Sequence, residues 1–410
     1  MRDAWREVPP TAGLPLQWRD FNPRRKSPSL EESLAAFLDV PSVQLECSGT
    51  AALIIALTTL KASSSRRFVI IPAYTCPLVA LAVLHCGLTP VLCDLSPGSF
   101  DFSGAQLERL CNTDVLAIIA THLGGRVCDL DAVLRIAQRH GTFVIEDAAQ
   151  AMGAVWQGRK VGTIGDIGFF SLAAGKGLTL YEGGVLVARD PAVRKELRET
   201  SVTAAPYQPL MEWRRILQLI GYGLFYLPGM LRLAYGAPLR RALRKGRFIT
   251  AVGDDFSSAI PLHRVGSIRR NAGARAVARL PAFLEALANQ AAIRSRLLRS
   301  ILGITVIDDA DGACGTWPFF MVVMPTTEAR DLALEQLWTA GLGVTRLFIH
   351  ALPDYPYLQT QLAGEAIPNA RYFAARMLTV SNSPWLSDAG FQRICAVLAD
   401  TAPASFASSR

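Results

Sequence analysis

Three short stretches of this chain carry side chains that could do chemistry together. In Gly165–Gly184 (GDIGFFSLAAGKGLTLYEGG) a strand-like run ends at Ser171, and Lys176 follows five residues later between Gly175 and Gly177. Flanking glycines let the backbone approach a ligand closely. A lysine whose amine is deprotonated near neutral pH can form an imine with an aldehyde, although most loop lysines are only solvated. In Val144–Gly153 (VIEDAAQAMG), Glu146 and Asp147 end an apolar run, where open α/β sheets hold their ligands. A carboxylate there is costly unless paired. One fitting partner is a pyridinium nitrogen, whose proton the carboxylate retains so that the ring can accept electrons. The other reading is that Asp147 caps a following helix. From Ser48, SGTAALIIALTTL sets a small-residue turn before an apolar helix. The free N–H groups and positive dipole end of such a helix suit a phosphate, with Thr50 adding a hydroxyl, and a plain helix cap would use the same residues.

These stretches sit in an alternating pattern. Arg67–Pro72, Pro90–Leu95, Val115–Ala120 and Thr142–Asp147 are continuous apolar runs of strand length, as in a parallel sheet buried on both faces. Between them PLVALAVLHCG, SGAQLERLCN and DLDAVLRIAQRHG have helical spacing, the last two stopping at Asn112 and Gly141. Alternation of this kind predicts a doubly wound, mostly parallel α/β domain. Residues 1–255 are expected to form it, with a basic, apolar insertion at 201–250. Residues 256–410 are expected to form a smaller α+β domain, with a helical stretch over 267–303 broken by Pro281, a strand at Trp317–Pro325 and a helix ended by Gly341.

Of the net charge of +8, the 201–250 window carries +7. Basicity confined to one insertion points away from nucleic acid. Eight scattered cysteines without a CxxC pair read as reduced thiols of a cytoplasmic protein, and five histidines offer no metal cluster. The start of the chain lacks the apolar core of a secretory signal. Within the insertion, Ile216–Leu231 is uncharged but short of the roughly 20 residues of a spanning helix, and it contains Gly221, Gly223, Pro228 and Gly229. Two readings remain for residues 206–247: peripheral contact with an anionic membrane at headgroup level, or a helical pair covering the active site of a dimer.

In order and spacing, the chemical motifs resemble those of the DegT-type (DegT/StrS) sugar aminotransferases, fold-type-I pyridoxal-phosphate enzymes. The shared elements are GTAAL from Gly49, the P-x-Y-T block Pro72–Thr75, EDAAQ from Glu146, Phe170-Ser171 followed by Lys176, and Glu182-Gly183-Gly184. The resemblance covers residues 40–195 closely and 256–395 loosely. It implies pyridoxal 5'-phosphate held as a Schiff base on Lys176, which also moves the proton. By the same resemblance Asp147 lies at the ring nitrogen, Gln150 lies near the phenolic oxygen, and Gly49, Thr50 and Ser171 hold the phosphate. It further implies a homodimer with shared active sites, glutamate or glutamine as amino donor, and a keto sugar, nucleotide- or lipid-linked, as acceptor. The setting would be cell-surface glycan or secondary-metabolite biosynthesis.

Departures from the family pattern are specific. Cys76 stands where an aromatic residue usually stacks on the cofactor, so that stacking is thinner or is supplied by Tyr74. Tyr181 replaces the glycine before Glu182-Gly183-Gly184. The partner-subunit Asn-x-Arg element has Leu262-His263-Arg264 as its nearest counterpart, which makes His263 and Arg264 candidates. In GVTRLFIHALPDYPYL, Arg346 and His350 are substrate candidates, or else ordinary packing residues. A sugar dehydratase on the same scaffold would favour histidine in place of Lys176, and a cofactor-binding regulatory paralogue is the remaining alternative.

Overall fold

The computed structural model describes residues 6–22, 27–362 and 364–402. A seven-stranded sheet runs in the order Gln44–Glu46, Gly184–Ala188, Ile167–Ser171, Phe143–Asp147, Val115–Thr121, Phe68–Pro72, Thr89–Cys93. Pairing is parallel from Ile167–Ser171 to Thr89–Cys93, and Gly184–Ala188 pairs antiparallel with both of its neighbours. Val115–Thr121 is buried at every position, which is the mark of a strand covered by helices on both faces. The expected doubly wound α/β architecture is therefore present, with Gln44–Glu46 and Gly184–Ala188 as strands added to the four apolar runs and the strand ending at Ser171.

The helices begin and end for local reasons. Ser48 Oγ accepts the Ala51 N–H at 3.0 Å and so caps Gly49–Ala62. Pro77 opens Pro77–His85, where its missing N–H costs nothing. Gly141, at φ 58°, closes Leu130–His140 in the left-handed conformation that favours glycine. Pro281 breaks the predicted 267–303 stretch into Ser267–Val277 and Leu280–Arg299 and lies in the first turn of the second helix.

A four-stranded antiparallel sheet, in the order Thr305–Val306, Phe319–Val323, Met377–Ser381, Val344–Thr345, has its own apolar core with helices Leu280–Arg299, Thr327–Leu337 and Asp388–Thr401. Val8, Leu239 and Ala251 also enter that core, so segments before residue 256 contribute to it. The insertion is a pair of helical arms, Pro209–Phe225 and Pro228–Arg244, bent by 109°. Among the described residues no single helix is long and apolar enough to cross a membrane.

Candidate active site

The carboxyl ends of the parallel strands converge on one cavity of about 660 Å³. Thr75 beyond Phe68–Pro72, Thr121 and His122 at the end of Val115–Thr121, Asp147 at the end of Phe143–Asp147, and Ser171 all line it. This is where an open α/β sheet offers a ligand its loops and helix starts. Gly49, Thr50, Cys76, Gln150, Lys176 and Arg346 share the wall, so the structure brings together most of the residues singled out in the sequence.

Side-chain alternation along Phe143–Asp147 separates the two adjacent acids. Glu146 accepts the N–H groups of Gly162, Ile164 and Gly165 at 2.6–2.7 Å, and its Oε2 lies 3.0 Å from His122 Nε2. Burial pushes its carboxyl up, and the bonds from His122, Gly165 and Gly162 more than offset that, so its pKa lies below the ordinary value. Cys128 donates its N–H to His122 Nδ1 at 3.3 Å, which assigns the ring proton to Nε2 and makes His122 the donor to Glu146. Asp147, 5% exposed, accepts only the Ala149 N–H, at 3.0 Å, among the described hydrogen bonds. No helix follows it, so the helix-cap reading of Asp147 is corrected to a tight turn. Burial raises its pKa, with the Ala149 N–H and the charge of Lys176 working against that rise.

Lys176 hangs from the loop between Ile167–Ser171 and Gly184–Ala188. Gly175 adopts φ 78° there and presents its carbonyl to Thr11 Oγ1 at 2.6 Å. Burial of the amine lowers its pKa, and the charge of Asp147 works against that fall. The neutral amine needed for imine chemistry is thereby favoured. Tyr181 stands at φ 67°, a conformation that favours glycine, which accounts for a glycine being usual at this position.

Gly49 packs so closely on the end of the Ser171 strand that a Cβ there would meet Ser171 Cβ at 3.2 Å. The start of Gly49–Ala62, Thr50 and Ser171 thus form one cradle at the positive end of a helix dipole. Gln150 Oε1 accepts the Gly124 N–H at 2.7 Å, which fixes the side chain at the wall. Cys76 lines the cavity as a thiol whose pKa burial pushes up to about 12. The donor set fits pyridoxal phosphate: a low-pKa amine, a buried acid without an ion pair among the described residues, and a phosphate cradle whose glycine cannot be enlarged freely.

Other candidates lie outside this wall. Tyr74 is corrected from ring-stacking substitute to core residue: it packs edge-on to Phe348 and Phe373, with centroids 5.6 and 5.3 Å away, and its hydroxyl bonds Phe348. His350 packs against Tyr355 and does not line the cavity. Buried His263 has Nε2 3.7 Å from Glu182 Oε2, while Arg264 binds the carbonyls of Ala205 and Val202 at the root of the insertion. Neither lines this chain's cavity. Arg346 does; it donates to the carbonyls of Ile349 and Ala374 at 2.6 and 2.8 Å. Burial, with Arg330 nearby, pushes its pKa down to about 10.

Three titratable wall residues escaped the sequence reading: His122, Tyr235 and Asp254. His122 had a usable signal, since it directly follows an apolar strand. Asp254 gave none, because the fold of the insertion brings it to the site. All eight cysteines are free thiols, and the described residues contain no His/Cys/Asp/Glu cluster able to hold a metal.

Comparison with known proteins identifies the family and the fold. Residues 18–223 match the model of the DegT/DnrJ/EryC1/StrS aminotransferase family. The chain is 39% identical over 166 residues to GDP-perosamine synthase of Caulobacter vibrioides, covering 40% of this chain and 44% of that protein. It is 34% identical over 192 residues to the spore coat polysaccharide biosynthesis protein SpsC of Bacillus subtilis, covering 47% and 49%. The chain thus spans under half the length of these relatives. The solved PLP-form of the putative sugar aminotransferase Spr1654 from Streptococcus pneumoniae superimposes with a TM-score of 0.74 at 18% identity, over 97% of this chain and 98% of that one, which establishes the shared fold.

Proposed function

The chain belongs to the DegT/DnrJ/EryC1/StrS aminotransferase family, and from that premise we propose that it is a pyridoxal-phosphate aminotransferase passing an amino group from glutamate or glutamine to a keto sugar. The observation that carries the reading is a single cavity in which Lys176, with its amine pKa lowered, shares the wall with buried Asp147 and the Gly49–Thr50–Ser171 cradle. The relatives' names, a perosamine synthase and a spore coat polysaccharide protein, support a sugar acceptor in glycan biosynthesis.

When bound, the cofactor supplies an aldehyde that captures amines and a ring that takes up electron density. Asp147 holds the proton on the ring nitrogen, and a cation there relieves the cost of burying the carboxylate. Thr50 and Ser171 offer hydroxyls to the phosphate, beside the first-turn N–H groups of Gly49–Ala62. Lys176 Nζ, with its pKa lowered by burial, would take the proton from the α carbon of the donor and later deliver one to the carbon that receives the amine. Gln150, held by Gly124, would meet the phenolic oxygen of the ring, and Arg346, in the same wall, would meet the substrate.

The same reading has the enzyme act as a homodimer in the cytoplasm, with His263 and Arg264 directed to the partner's site and residues 206–247 in peripheral contact with an anionic membrane. The free thiols support the compartment, and the exposed apolar and basic residues of the insertion support the contact. A half-reaction screen tests the activity. The enzyme is loaded as pyridoxamine phosphate, and keto compounds are tested for restoring the aldehyde absorbance. Restoration by keto sugars is expected, and failure with every keto sugar while simple keto acids succeed would overturn the acceptor class.

A further inference from the structure

Helix Pro209–Phe225 departs from the usual surface pattern, in which apolar side chains face only the core: Ile216 and Leu219 are buried, and a second apolar face is exposed. Two of its three charges point inward: Glu212 is buried against Arg269, whose Nε and Nη2 reach the carboxylate at 2.6–3.1 Å, and Arg215 pairs with Glu182 in the cavity wall. Its outer face is apolar at helical spacing. Leu210, Trp213, Leu217 and Leu224 are 85, 60, 66 and 43% exposed, and Leu227 and Leu233, at and beyond the bend, are exposed by 52 and 60%. Exposed Arg214, Arg241, Arg244, Lys245 and Arg247 accompany this strip, and Glu212, the one acid between residues 201 and 250, is buried. A bare apolar strip with cations and no exposed acid is complementary to an anionic lipid surface, where side chains enter the acyl boundary and cations meet headgroups.

The inner face of the same element belongs to the catalytic cavity. Tyr222 Oη accepts the N–H of Gly175, the residue before Lys176, at 3.3 Å. Tyr235, within the second arm, lines the cavity, as do Gly253 and Asp254 just past the insertion. One pair of arms therefore presents a lipid-compatible face outward and a wall of the active site inward.

We infer that the outer face of residues 209–233 seats on an anionic bilayer and holds the cavity at the membrane surface, where the enzyme takes a keto sugar carried on an apolar tail. The inference rests on the aminotransferase reading and adds the class of acceptor. Binding to the bilayer comes from the strip and the cations together, so it weakens with salt and vanishes when the strip is charged.

The test uses the full-length holoenzyme with vesicles of phosphatidylcholine alone or with 30% phosphatidylglycerol. Co-sedimentation with the anionic vesicles is expected, at least tenfold weaker for the Leu210→Asp, Trp213→Asp, Leu217→Asp triple variant, with the glutamate half-reaction unchanged. On anionic vesicles, a decyl glycoside of a keto hexose should exceed its methyl glycoside at least tenfold in kcat/KM, and the triple variant should lose that ratio. Indifference of the wild type to anionic vesicles at low salt overturns the inference, and so does an equal rate with both glycosides. If the triple variant instead turns a dimer into a monomer while the wild type ignores vesicles, the strip is an interface between two copies and the inference fails. Loss of the half-reaction in wild type, with vesicle binding intact, would sink the aminotransferase reading separately.

Discussion

Glu146 and Asp147 are neighbours in one strand, yet their carboxylates serve opposite sides of it. Three loop N–H groups and His122 occupy Glu146, whereas Asp147 lines the cavity and takes one backbone N–H. Neutralising each should therefore break different things. Asp147→Asn should keep the fold and bind cofactor while losing turnover. If the ring nitrogen loses two pH units of basicity, about 2.7 kcal/mol, the rate falls roughly 100-fold. Glu146→Gln should lower stability by about 1–3 kcal/mol, because an amide cannot accept all four donors. Denaturant midpoints and single-turnover rates separate the two, and a stability loss confined to Asp147→Asn would reverse the assignment.

Lys176 should be the site of covalent attachment. Borohydride reduction followed by peptide mass mapping is expected to place the reduced cofactor on Lys176 and to find no adduct in Lys176→Ala. The lowered amine pKa, caused first by burial, means that the neutral form persists to lower pH than for a solvated lysine. An adduct mapped to Lys160 or Lys195 would remove Lys176 from the mechanism.

Gly49 tests the cradle. An added methyl at 3.2 Å from Ser171 Cβ must push the helix start away from the strand end. Gly49→Ala should then weaken cofactor binding by about tenfold or more, near 1.4 kcal/mol, through lost phosphate contacts. Fluorescence titration of apo protein gives the constant. Unchanged affinity would show that the phosphate sits elsewhere.

Legibility of the site in the sequence followed the reach of local rules. Asp147 and the Gly49 helix start announced themselves because one closes a strand and the other opens a helix, and Lys176 because its loop directly follows a strand; the parallel sheet delivers such places to one edge. The split of Glu146 from Asp147 was legible in principle from the two-residue period of a strand, but the three donors from Gly162–Gly165 are a tertiary fact. Tyr74 misled because its motif position is local, whereas Phe348 and Phe373, which draw its ring into the core, come from the far end of the chain. The insertion was visible as basic and apolar. Its inward charges were not, since Arg269 comes from a helix beyond it and Glu182 from a loop before it.

The ion pair between Glu212 and Arg269 should hold the insertion to the body. Both side chains are buried, and the guanidinium also donates to the Glu182 carbonyl at 2.5 Å. Glu212→Ala strands a buried cation and should cost about 3–5 kcal/mol. The loss should show first as faster proteolysis within residues 206–247. Cleavage no faster than in the wild type would mean that the apolar contacts of Ile216 and Leu219 suffice.

Stability should depend on pH through Asp254. Its Oδ2 accepts the Tyr355 hydroxyl at 2.6 Å and the Ile349 N–H at 2.9 Å, and its main-chain carbonyl takes the Tyr357 hydroxyl at 2.5 Å. Burial outweighs these bonds and the nearby charge of Arg346, and raises its pKa from 3.8 to about 6. A carboxyl with a raised pKa binds its proton more tightly in the folded state than in the unfolded one. Its contribution to stability is therefore complete below about pH 4 and is lost as pH rises through 6. Asp254→Asn keeps an oxygen for Tyr355 and Ile349 and never carries the charge. At about 1.4 kcal/mol per pH unit, the interval caps its advantage over wild type at about 3 kcal/mol above pH 6, shrinking toward zero by pH 4. Urea midpoints of both proteins at pH 4, 5, 6 and 7.5 measure the difference directly. A variant less stable than wild type at pH 7.5 would mean that the Asp254 carboxylate, ionised, is an asset to the cavity wall, with Arg346 as the cation that makes it so.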